Sequence, residues 1–131
     1  MPAADTPFAY AILRLVPHVE RGERFNVGVV LFCRQRDFLD LRTEVDEARL
    51  SALAPGLDLT DVRASLEAIR GVVCGDPDGG ALAALEPSER FGWLVAPAST
   101  VIQPSPAHTG LTRDPAATLE RLFTALVRAP A

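Results

Sequence analysis

The sequence predicts a single α+β domain over residues 1–131, in which an antiparallel sheet packs against two to three helices. The sheet is expected to hold an N-terminal three-stranded meander and one or two short later strands. Three observations predict this class: apolar segments with short connections fill the first part of the chain, a strongly one-sided helical pattern follows, and an amphipathic helix that starts at a proline ends it.

The meander is predicted from residues 8–16 (FAYAILRLV), 25–33 (FNVGVVLFC) and 38–43 (FLDLRT). The first two segments are apolar at nearly every position, which is typical of strands that are buried on both faces. The third segment alternates between apolar and charged residues. Because the connections are short, the three strands should pair antiparallel in chain order.

Two helices are predicted after the meander. Asp46 begins a short helix that runs through Leu53 and is stopped by a Pro-Gly pair. Asp58 or Thr60 caps a longer helix. Its apolar residues are spaced three and four apart and form one stripe, which must lie against the sheet: Leu59, Val62, Leu66, Ile69 and Val73.

The remainder is predicted as a loop, two short strands and a final helix. Residues 75–80 (GDPDGG) have the composition of a flexible loop, and 91–96 and 99–103 are assigned as strands. Asp114 is expected to cap the last helix with Pro115 at its first position. No repeat or linker divides the chain.

The basic residues are all Arg, since the chain contains no Lys. This composition excludes a Walker A loop, a Schiff-base lysine and a pyridoxal phosphate site, which all require Lys. No cofactor is expected. The formal net charge of −4 and the absence of aromatic interleaving among the arginines argue against a nucleic-acid surface.

Cysteine usage and hydropathy predict a cytoplasmic protein. Cys33 and Cys74 are far apart and read as free thiols of a reducing compartment, and no His or Cys pair has the spacing of metal ligands. No metal is expected. No apolar run is long enough to span a bilayer, and the N-terminal residues lack the basic region of a secretory signal.

The segment 90–110 (RFGWLVAPASTVIQPSPAHTG) is the best candidate for a functional site. It gathers the only Trp, one of two His residues and many hydrogen-bonding side chains between prolines. A well-ordered surface loop needs the same residues, so both interpretations stay open. The residues expected to line a binding site are Asn26, Arg90, Ser99, Thr100, Gln103 and His108.

Three of these residues, Asn26, Arg90 and His108, are selected for specific reasons, and Gly28 is considered together with Asn26. Asn26 and Gly28 are expected on one face of the second strand, where a glycine marks a bulge or a close approach. Arg90 offers a bidentate fork for a phosphate or carboxylate, or else pairs with a nearby Glu on the surface. His108 is a catalytic candidate because a histidine imidazole suits acid–base chemistry near neutral pH; alternatively it only fixes a turn.

Two stretches resemble the bacterial family catalogued as domain of unknown function 3037. They are YAILRLVPHVERGERFNVGVVLF and RFGWLVAPASTVIQPSPAHTG, and the resemblance extends over roughly residues 10–127. The family implies no established activity and no catalytic residues. It does imply stand-alone bacterial cytoplasmic proteins that are often encoded beside a HipA-like kinase.

Two functions follow as hypotheses. The first is a non-catalytic binding or accessory module whose partner is another protein, with the HipA-like kinase as the candidate that the resemblance implies. The second is a small hydrolase or phosphotransfer enzyme that uses His108, with Arg90 anchoring an anionic group. The enzyme requires His108, Arg90 and a carboxylate in one cleft, whereas the module requires an exposed apolar patch on the order of several hundred Å².

Overall fold

In the computed structural model, which describes residues 4–98 and 100–128, the first three strands form the predicted meander. The described residues form a five-stranded antiparallel sheet, and the α+β class is confirmed. The strands are β1 (Thr6–Leu15), β2 (Phe25–Cys33), β3 (Phe38–Thr43), β4 (Ile102–Pro104) and β5 (His108–Thr112). The order across the sheet is β3-β2-β1, and both β4 and β5 pair with the free edge of β1.

Helices pack on both faces of this sheet, which explains the continuous apolar character of the central strand β2. The helices are α1 (Glu47–Leu53), α2 (Leu59–Val73), α3 (Gly80–Ala83), α4 (Pro87–Leu94) and α5 (Pro115–Leu126). On one side, which we call the α2 face, Leu13 and Val30 pack with residues of α1, α2 and α4. On the other side, the α5 face, Val29 and Leu31 pack beneath Phe123 of α5.

The helix starts follow the predicted capping chemistry. The side chain of Asp58 accepts a hydrogen bond from the amide of Thr60, so Asp58 is the cap of α2. Asp46 and Asp114 cap α1 and α5 in the same way, and Pro115 stands at the first position of α5. Each cap satisfies an amide that has no partner within its own helix.

The prediction of a strand over residues 91–96 is wrong, because this segment begins as the second half of α4. Pro87 occupies the first turn of that helix, where its missing amide hydrogen costs nothing. Phe91 and Leu94 are spaced three apart and turn toward the α2 face, where Phe91 is buried. Residues 75–80, predicted as a loop, contain the 3-10 turn Pro77–Gly79 and the first residue of α3.

The two later strands form one interrupted strand along β1. The strand predicted over residues 99–103 is β4, displaced to Ile102–Pro104, and β5 occupies a segment that the sequence had placed in a polar loop. Between them, the hydroxyl of buried Ser105 accepts a hydrogen bond from the amide of Ile12 and donates one to the carbonyl of Pro106. Ser105 thereby replaces a backbone partner where the prolines interrupt the ladder.

In the part of the chain that the structure describes, no helix combines the length and the apolar character that a membrane crossing requires.

Candidate functional site

Arg90 has a structural position in the α2 face. Its Nη1 donates to the carbonyls of Val72 and Val73 at 3.1 and 2.7 Å, and its Nε donates to the carbonyl of Leu85 at 3.0 Å. These bonds tie the last turn of α2 to the segment before α4. A cation at this place also complements the negative end of the α2 dipole. Neither sequence interpretation, an anion site or a surface ion pair, describes this arrangement.

Gly75 makes room for the guanidinium of Arg90. Its φ of 65° lies in the left-handed region, and a Cβ placed there would lie 3.1 Å from Nη1 of Arg90. Glycine is favoured on both counts.

Asn26 and Gly28 do not share a face of β2, so that expectation is wrong. Leu13 pairs with Gly28 while Arg14 pairs with Asn26, which leaves Val27 as the extra residue of a β-bulge. The bulge turns Asn26 to the α5 face, where its Nδ2 donates to the carbonyl of Leu126 at 2.8 Å.

Gly28 instead faces the α2 side, and its role is to admit neighbouring atoms. A Cβ at this position would lie 2.9 Å from the carbonyl oxygen of Arg42 and 3.3 Å from a methyl group of Leu13.

Thr100 also belongs to the α2 face. Its hydroxyl donates to the carbonyl of Ile102 at 2.6 Å, and Thr100 lies at an apolar cavity of about 190 Å³ that Trp93 and Leu94 help to line. The Trp93 side chain is 59% exposed at this cavity. Ser99, the next predicted residue, lies outside the described residues.

Gln103 and His108 lie on the opposite, α5 face. Gln103 pairs with Arg14 and His108 pairs with Tyr10, and directly paired residues of antiparallel strands project to the same side. The rings of Tyr10 and His108 stand 5.3 Å apart. The predicted site residues are therefore divided: Asn26, Gln103 and His108 share the α5 face, while Arg90 and Thr100 lie on the other.

The α5 face is only partly covered, because α5 packs over β2 and β3. Beside the helix, the side chains of Tyr10, Ile12 and Arg14 follow one another along β1 and are half-buried. Gln103 and exposed His108 border them on the outer strands. We call these five residues the β1 strip.

Arg14 is the charged end of this strip. Burial, and in second place the nearby charge of Arg24, lower the pKa of Arg14 below its usual value. Among residues 4–98 and 100–128, no carboxylate lies within 4.0 Å of the Arg14 guanidinium. The strip therefore combines an aromatic pair, an aliphatic side chain and a cation without a counter-charge.

In the described part of the chain, His108 and Arg90 do not meet in one cleft, as the enzyme hypothesis required. His108 is on the α5 face, whereas the donors of Arg90 are engaged in the α2 face. The hydroxyl of Ser105, which is close to His108 in sequence, is committed to Ile12 and Pro106. Likewise, the described residues contain no group of three or more metal-ligating side chains.

Sequence reasoning missed Tyr10 and Arg14 as site residues. A signal was present for Arg14, because it is a single charge inside a strand that is otherwise apolar on both faces. Burying such a charge costs free energy unless an opposite charge or a hydrogen-bond acceptor meets it. Tyr10 carried no comparable signal, since an aromatic residue in a strand is ordinary core composition.

A family model described as "Protein of unknown function (DUF3037)" matches residues 10–127. The chain belongs to this family. The predicted resemblance is thus confirmed over nearly the whole length of the chain. No curated protein and no solved structure matches the chain. The family's description assigns no activity, so a function has to be inferred from the geometry of the DUF3037 chain itself.

Proposed function

We propose that this protein is a non-catalytic binding module that docks on another protein through the β1 strip. The observation that carries the proposal is the incomplete cover of the α5 face: α5 lies over β2 and β3, and the strip beside it stays half-exposed. An antiparallel sheet often has one solvated face, but such a face ordinarily carries polar residues, whereas this one presents Tyr10 and Ile12. The β1 strip, which lies open beside α5, therefore offers room for a segment of another protein to pack against the sheet.

The residue types of the strip support protein binding. Tyr and Arg are enriched among the residues that dominate interface energies, because each combines a large contact area with directed hydrogen bonds. Tyr10 is held between Phe8 and His108, with ring centroids 6.1 and 5.3 Å away. This packing fixes the Tyr10 ring before a partner arrives, which reduces the entropy lost on binding.

As the partner we propose a HipA-like kinase, which is what the resemblance noted in the sequence implies. On this proposal the protein is bacterial and cytoplasmic and acts as an accessory to the kinase. The alternative, a hydrolase or phosphotransfer enzyme based on His108 and Arg90, has less support, because those two side chains belong to opposite faces of the sheet.

The dissociation constant between the purified protein and the HipA-like kinase, measured by biolayer interferometry, tests this proposal. Tyr10→Ala and His108→Ala should each weaken binding, with Tyr10→Ala weakening it about tenfold or more. His108 is exposed, so its replacement leaves the core intact.

Trp93→Ala is the matched control, because it removes an exposed aromatic side chain from the opposite face and should leave the dissociation constant unchanged. Circular dichroism verifies that each variant is folded. Weaker binding of Trp93→Ala together with unchanged binding of the two strip variants would contradict the proposal.

A further inference from the structure

We propose that Arg14 is the anchor of the β1 strip and that it binds the carboxylate of an Asp or Glu side chain in the partner's docking segment. This inference rests on the proposed function and specifies the chemistry of the partner. The observation behind it is a row of three side chains, Asn26, Arg14 and Gln103, that the register places side by side on the α5 face.

The row presents hydrogen-bond donors in a fixed arrangement. Arg14 lies on the central strand of the three, with Asn26 on β2 at one side and Gln103 on β4 at the other. Asn26 is already held by its hydrogen bond to the carbonyl of Leu126. The planar guanidinium of Arg14 and the amide of Gln103 remain to bind a ligand, and a guanidinium binds a carboxylate through two parallel bonds.

Arg14 is a half-buried arginine with no carboxylate beside it in the described chain, whereas half-buried Arg36 and Arg90 at least donate to backbone carbonyls. Acidic residues outnumber arginines, 17 to 13. Of the described arginines, those with a carboxylate within 4.0 Å are Arg21, Arg42, Arg49, Arg63, Arg70, Arg113 and Arg128. Arg14 is half-buried and has no such partner in the described chain, and the charge that acts on it is another cation, that of Arg24.

Burying a guanidinium without a counter-charge is unfavourable, and a second guanidinium nearby adds repulsion. A carboxylate that binds Arg14 offsets both the cost of burying the guanidinium and its repulsion from Arg24. Since the described chain supplies no carboxylate at this place, we assign that role to the partner. A side-chain carboxylate is the ligand that we assign, because its two oxygens match the two parallel donors of a single guanidinium.

Peptide pools test the inference directly. Each pool contains octapeptides with randomised flanking residues and one fixed central residue, which is Glu, Gln or phosphoserine. The wild-type protein should retain the Glu pool about fivefold more strongly than the Gln pool. Arg14→Gln should remove this preference.

The matched control is Arg121→Gln, which deletes one exposed positive charge from α5, far along the chain from the row. It should keep the preference for Glu. Equal retention of the Glu and Gln pools by the wild-type protein, or stronger retention of the phosphoserine pool than of the Glu pool, would overturn the inference.

Kinase binding separates this inference from the proposed function. If Arg14→Gln binds the kinase as tightly as the wild-type protein does while Tyr10→Ala does not, docking on the strip stands and the carboxylate anchor is wrong. If the kinase does not bind the wild-type protein but the Glu preference depends on Arg14, the anchor stands and the choice of partner is wrong.

Discussion

Arg90→Ala should destabilise the fold rather than remove a binding function. The side chain donates to three backbone carbonyls, those of Val72, Val73 and Leu85, and thereby closes the end of α2 against the segment before α4. Truncation leaves the carbonyl of Val73 without this donor in a place where the residue itself is buried. It also removes a cation from the negative end of the helix dipole.

The magnitude follows from the bonds that are lost. A hydrogen bond to a charged group contributes about 1.5–3 kcal/mol when it is shielded from water. Two of the three bonds are only part-buried and the third is exposed, so water replaces much of what is removed. We therefore expect the free energy of unfolding to fall by about 2–4 kcal/mol, below the sum of three shielded bonds.

Urea unfolding followed by circular dichroism measures this change. Arg90→Lys keeps the positive charge but lacks the several planar N–H donors of the guanidinium. It should therefore recover less than half of the unfolding free energy that Arg90→Ala loses. Arg121→Ala, on the exposed side of α5, should change stability by no more than about 0.5 kcal/mol. An Arg90→Ala protein as stable as the wild type would refute the structural role and return Arg90 to the list of binding residues.

Three further substitutions test the sheet and the strip by the same unfolding assay. Gly28→Ala should cost about 1–3 kcal/mol, because its Cβ would press on the backbone carbonyl of Arg42 at 2.9 Å; Gly56→Ala, with open space around it, should cost almost nothing. Asn26→Ala should cost about 1–2 kcal/mol by leaving the carbonyl of Leu126 without its donor, and a smaller loss than about 0.5 kcal/mol would contradict this. Arg14→Gln should leave stability unchanged or raise it, because burial and Arg24 disfavour the charged form in the folded state; a clear loss would count against the anchor.

The regular elements with strong local signals were predictable from the sequence. The meander followed from three apolar segments with short connections, and α2 and α5 from a one-sided stripe beginning at an Asp cap. In these elements local propensity, capping and burial all favour the same structure. Of the two later strands predicted, the one over 99–103 is found displaced as β4, the one over 91–96 is wrong, and β5 was not predicted.

The failures have identifiable physical causes. In residues 91–96 the apolar content fits a strand or a helix equally well, and the decision rests on Pro87, which starts a helix some residues earlier. The bulge at Val27 depends on register with β1, which no local pattern encodes, and it moved Asn26 to the face opposite Gly28.

The candidate site was predictable only in part. Asn26, Gln103 and His108 were selected for their polar chemistry and do share the α5 face. Arg90 was selected for the same polar chemistry, but its side chain donates hydrogen bonds to three backbone carbonyls. Only the tertiary structure brings these carbonyls to it. The strip itself exists because α5 packs mainly over β2 and β3 and reaches β1 only near Phe8, and this placement is a property of the packing.

Amide hydrogen exchange of the protein, with and without the HipA-like kinase, tests the β1 strip as the docking surface most directly. We expect complex formation to slow exchange in residues 8–15 and 102–112, which contain β1, β4 and β5, and to leave residues 87–98 unchanged. Protection confined to 87–98, beside Trp93 on the opposite face, would contradict docking on the strip.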